Sequence, residues 1–91
     1  MSTVNALVAA ARDGDVKQIK TLAKQCDVNT KDELGWCAVH RAAVHGQVVS
    51  LRCLVANGAD INAVDDDGWR AIHRAAWGGD YPSLKVLIEL G

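Results

Sequence analysis

Between residues 38 and 90 the apolar positions fall into four clusters separated by glycines. Val48–Ala56 and Pro82–Leu90 place apolar residues at i, i+3 and i+4, the spacing that lines one side of an α-helix, and predict two longer helices. Ala38–Val44 and Ala71–Trp77 predict short helices of about two turns. Gly46 and Gly79, with Gly14 upstream, interrupt paired apolar runs and suit tight helix–helix turns. Gly58 and Gly91 follow the last apolar residues of a cluster, where a left-handed helix cap belongs. Pro82 falls in a first helical turn, where its missing N–H costs little.

The clusters repeat. Residues 35–58 align with 68–91 at an offset of 33 without a gap, and 12 of the 24 positions are identical. A weaker copy lies upstream, where Ala6, Ala10, Ala11, Gly14, Val16 and Leu22 match at an offset of 32. The chain therefore reads as one domain, 1–91, of three units: 1–31, 32–64 and 65–91. The pairs Ala10-Ala11, Ala42-Ala43 and Ala75-Ala76 allow helices to approach closely. One such helix pair cannot bury its own apolar side, so stacked neighbours must supply the core. The fold class expected is an all-α repeat solenoid.

Composition narrows the chemistry. With 49% apolar and 23% charged residues the chain is globular. Ten basic side chains stand against eleven acidic ones, which argues against a duplex nucleic-acid binder, normally rich in basic residues. No apolar run reaches a membrane span, and no basic region precedes the first apolar stretch. An intracellular protein, cytoplasmic or nuclear, is expected. Cys37, His40, His45 and Cys53 do not give two tight chelating pairs, so no metal or cofactor is expected. Asp65-Asp66-Asp67 are adjacent carboxylates that do not converge on one cation. Cys37 and His40 suggest a thiolate pair, but neither a Ser/His/Asp set nor a phosphate-cradling loop is present, and no enzyme activity is expected.

The segment GADINAVDDDGW (58–69) and the A-x-H-x-A-A-x-x-G cores at 38–46 and 71–79 resemble the ankyrin repeat family across essentially the whole chain. The resemblance implies stacked helix–turn–helix units with β-hairpin-like fingers centred on 30–36 and 63–69. It further implies a non-catalytic protein–protein interaction module, using the fingers and the concave side of the short helices. His40 and His73 stand where the family's histidine ties one finger to the next by backbone hydrogen bonds. Asp32 and Asp65 stand where a carboxylate bonds turn amides. The family's Thr-Pro is replaced by Cys37-Ala38 and Arg70-Ala71, which removes the helix-capping hydroxyl, worth about 1 kcal/mol. The first unit carries Val8 in place of the histidine and resembles a capping repeat, with Lys17, Lys20 and Lys24 on its solvated outer side.

The candidate partner-binding residues are Glu33, Leu34, Trp36, Arg41, Val44, His45, Asp66, Asp67, Trp69, Arg74 and Trp77, flanked by Lys31 and Val64. Trp36 and Trp69 follow the finger glycines, Trp77 ends a short helix, and tryptophan is enriched in binding hot spots. The alternative for the first two is that they stack and stiffen the fingers. Arg41 and Arg74 either present guanidinium groups beside the indoles or pair locally with Glu33, Asp66 or Asp67. Single-stranded nucleic acid would also stack on such a row, but the near-neutral charge disfavours it. The runner-up function is an N-terminal fragment of a longer array, mainly a scaffold. If Gly91 is the true end, Leu84, Leu87 and Ile88 lack cover, and weak self-association through that end is expected.

Overall fold

The computed structural model describes residues 2–91. Six helices follow one another: α1 Thr3–Asp13, α2 Val16–Leu22, α3 Ala38–Val44, α4 Val48–Ala56, α5 Ala71–Gly78 and α6 Tyr81–Leu90. The predicted segments form helices, and the two in the last unit are each one residue longer than the pattern suggested. α1, α3 and α5 pack side by side as an inner row, and α2, α4 and α6 form the outer row behind them.

Small residues make the inner row possible. Ala10, Ala11, Ala42, Ala43 and Ala75 are buried between α1, α3 and α5, and Leu7, Ile19, Leu51, Leu54, Val86 and Leu87 fill the space between the rows. Ala76 is the register equivalent of buried Ala43, yet it is exposed, because no helix of the described chain lies against it. Of the three residues expected to lack cover, Leu87 is buried and Leu84 half-buried, since α4 packs against α6. Only Ile88 remains exposed, at 68%.

Polar contacts fix the stacking register. Asn29 accepts from the Asp60 amide at 2.6 Å and donates to the Gly58 carbonyl at 3.2 Å, joining the first unit to the second. Gln47 donates to the Arg12 carbonyl at 3.0 Å. One unit later, Asp80 accepts from the Ser83 amide, and its carboxylate lies close against Gly46, whose φ of 68° is the conformation that favours glycine.

The short helices are capped unexpectedly. Neither Cys37 nor Arg70 caps its helix with its side chain. Instead, Nδ1 of His40 accepts from the Cys37 amide at 3.1 Å, and Nδ1 of His73 accepts from the Arg70 amide at 3.0 Å. The histidine three residues into the helix thus supplies the returning half of a capping box. Cys37 uses its thiol elsewhere, donating to the Asn29 carbonyl at 3.2 Å.

Candidate partner-binding surface

Each finger is a tight turn organised by its first aspartate. Oδ1 of Asp32 accepts from the amides of Leu34 and Trp36 at 2.9 and 3.0 Å, and Oδ1 of Asp65 repeats both bonds with Asp67 and Trp69. The hairpins close through the amides of Asp32 and Asp65 on the carbonyls of Trp36 and Trp69, each at 2.8 Å. In the second finger this pairing includes an antiparallel bridge between Val64 and Arg70. The amide of Asp66 reaches the Gly35 carbonyl at 3.0 Å, and the Asp66 carboxylate occupies the space that a β-carbon on Gly35 would need.

The two finger tryptophans do not stack on each other, because a guanidinium stands between them. The Arg74 guanidinium carbon is 4.5 Å from the Trp36 ring centroid and 4.6 Å from that of Trp69. Arg41 lies 4.3 Å over Trp36, the same intra-unit contact one step earlier. The order along the stack is therefore Arg41, Trp36, Arg74, Trp69, alternating cation and indole. The arginines pair locally, with one of the expected acids, Asp67, and with two that were not expected, Asp65 and Asp32. Arg74 donates Nε to Asp65 at 2.7 Å and Nη2 to Asp67 at 3.0 Å, while Arg41 stands 3.9 Å from Asp32. The tip acid Asp67 is joined by Asp65 because the turn-organising aspartate uses Oδ1 for the turn amides and leaves its Oδ2 directed at the helix. Burial alone would raise the Asp65 carboxyl; the bonds from Arg74 and from the Trp69 and Asp67 amides outweigh it and hold Asp65 below the usual carboxylate range.

His40 ties the fingers together. Its Nδ1 is occupied by the Cys37 amide, so the proton resides on Nε2, which donates to the Trp69 carbonyl at 2.9 Å. Burial is the main cause that lowers its pKa and keeps the ring neutral. His73 does not perform the same task here. It is exposed, and among the described residues its Nε2 meets no following finger. The commitment of Cys37 and His40 to backbone groups also removes them as a thiolate pair, and burial raises the Cys37 thiol pKa.

The remaining candidates separate by exposure. Leu34 at 71% and Trp77 at 76% are exposed apolar side chains, His45 is exposed beside half-buried Val44, and Val64 is exposed in the second finger. Lys31 bonds Asp66 across the fingers at 3.0 Å, and Glu33 accepts from Asn5 at 3.1 Å. Trp36, Trp69, Arg41 and Arg74 are half-buried in the ladder. A groove of about 350 Å³ runs between α1 and the first finger, where Asn5, Ala9 and Arg12 face Glu33, Leu34 and Arg41. Its α1 wall was absent from the sequence-derived set. The signal was available: at the offset of 32, Ala9 and Arg12 are the register equivalents of Arg41 and Val44.

No helix among the described residues is long and apolar enough to cross a membrane. Among curated proteins, no match to the chain reaches significance. A sequence-family model described as ankyrin repeats, in three copies, matches residues 7–91. Ankyrin repeats are generally protein–protein interaction modules and typically non-catalytic. With the repeat period, the six-helix stack and this match in agreement, the chain belongs to the ankyrin repeat family.

Proposed function

We propose that the chain is a non-catalytic binding module that docks a protein partner along the finger tips and the inner-helix side. The observation that carries this reading is the division of labour within the aromatic face. The Arg–Trp ladder joins the two fingers, while Leu34 and Trp77, more than two-thirds exposed, have no packing role that would require them. Exposed apolar side chains beside preorganised polar groups favour association, because little conformational entropy is lost on docking. The partner contacts Leu34, Val44, His45 and Trp77, together with the α1 groove at Asn5, Ala9 and Arg12. Glu33, Asp66 and Asp67 form a charged rim, and Trp36, Trp69, Arg41 and Arg74 contribute their outer edges.

The test is affinity capture with the wild type and with a Leu34→Asp/Trp77→Ala variant whose melting curve matches it. A partner retained by the wild type and lost by the folded variant supports the surface. Equal capture by both contradicts it.

A further inference from the structure

Arg41 and Arg74 are register equivalents at 33, yet the edges of their guanidinium groups are met differently. Arg74 donates Nε to Asp65 at 2.7 Å and Nη2 to Asp67 at 3.0 Å. Arg41 stands 3.9 Å from Asp32, the equivalent of Asp65, and among the described residues it donates no hydrogen bond. The equivalent of Asp67 is Leu34, which has no side-chain acceptor to offer. Arg41 is nonetheless held in place: its guanidinium lies 4.3 Å over Trp36, and only 21% of its side chain is exposed. A guanidinium carries five N–H donors, and leaving them unmet in a half-buried place is unfavourable.

Arg41 and Leu34 line the groove of about 350 Å³ whose opposite wall is α1, at Asn5, Ala9 and Arg12. Both walls belong to the described chain, and the acid is missing because of the residue type at 34, in the finger between the first two units. Ala9 stands in α1 where Arg41 stands in α3, and its small side chain leaves room beside the finger. The other charged groups of the lining are already engaged. Oδ1 of Asp32 accepts from the Leu34 and Trp36 amides, Glu33 accepts from Asn5 at 3.1 Å, and Arg12 holds Asp13 at 3.0 Å. Arg41 is the charged group of this groove whose donors lack an acceptor. Its complement is a carboxylate, which meets the edge of a guanidinium with two parallel charge-assisted bonds.

We propose that this groove receives an acidic side chain from a partner protein, its carboxylate accepting from Arg41 beside Leu34, in the role that Asp67 plays for Arg74 one unit later. The inference rests on the protein-binding reading above and names the chemistry that the partner brings to the α1 groove.

The experiment is an NMR titration of the arginine Nε–H signals in the wild-type chain, with Arg41 and Arg74 assigned by single substitutions. The probe is an acetylated, amidated Gly-Gly-Glu-Gly-Gly peptide, compared with its glutamine counterpart; neither carries a terminal carboxylate. The glutamate peptide should shift Arg41 in a saturable way while leaving Arg74 in place. Replacing glutamate by glutamine should weaken binding about ten-fold, the loss expected when a bond to a charged acceptor becomes a neutral one. Leu34→Asp supplies the missing acid within the chain and should weaken the glutamate peptide by a similar factor. Leu34→Ala removes the leucine without adding an acid and should leave that peptide's affinity unchanged. An unmoved Arg41 signal, an equal response to the glutamine peptide, or equal affinities in Leu34→Asp and Leu34→Ala would overturn the assignment. Because the readout needs no partner protein, that outcome is distinguishable from failure of the binding reading, which falls only if capture survives loss of Leu34 and Trp77.

Discussion

Arg74 holds Trp36 and Trp69 apart by inserting its guanidinium between the two indoles, while its Nε fastens to Asp65 at 2.7 Å. One side chain thereby couples two fingers that are 33 residues apart in sequence. Its plane serves the rings and its edge serves the carboxylates, a combination available to arginine and not to lysine.

Removal of Arg74 should therefore destabilise the stack more than removal of Arg41. Arg74→Ala leaves buried Asp65 without its cation and uncovers a side of each ring, and should cost about 1–3 kcal/mol. Arg41→Ala breaks a pair at 3.9 Å and uncovers one ring, and should cost under about 1 kcal/mol. Arg74→Lys should recover only part of the loss. Urea unfolding monitored at a wavelength insensitive to tryptophan reads all three; equal effects of Arg74→Ala and Arg41→Ala would contradict the ladder.

The two histidines offer a matched comparison. His40→Ala removes both the Cys37 amide acceptor and the donor to Trp69, inside the protein, and should cost about 2–3 kcal/mol. His73→Ala removes one exposed capping bond and should cost under about 1 kcal/mol. Comparable losses in the two variants would mean that His40 does not join the fingers.

Much of this was legible before any coordinates. The 33-residue period placed α3 and α4 at their observed ends, and the paired alanines announced the close inner row. Periodicity could not show which of two equivalent histidines has a neighbour to bond. That depends on position in the stack, not on residue type. Nor could it place Arg74, because the aspartate that accepts its Nε is nine residues away across a turn whose geometry the sequence does not specify. The α1 side of the groove belongs to the first unit, the weakest copy of the repeat, where the Trp and Arg that mark the later units are absent.

His40 also makes stability depend on pH. Its pKa is lowered, chiefly by burial, so the unfolded chain binds a proton more readily than the folded one. The stabilisation is complete above the unfolded value of about 6.5 and is lost as the pH falls below it towards the folded value. Asp65 acts in a separate window: its pKa is lowered too, so its contribution is present above about pH 4 and is lost on further acidification. The gap in unfolding free energy between wild type and His40→Gln should shrink between pH 7.5 and pH 5.5. A constant gap would show that His40 is not held neutral.

The direct test of the account concerns Trp77, whose ring is 76% exposed and belongs to no packing cluster of the stack. Stability of Trp77→Ala should stay within about 0.5 kcal/mol of the wild type. The affinity of the captured partner should fall about 30-fold, equivalent to a hot-spot contribution of about 2 kcal/mol. The decisive measurement is the Kd of that partner for folded Trp77→Ala against the wild type: a drop of that order is the predicted result, and an unchanged Kd would contradict the assignment of this surface.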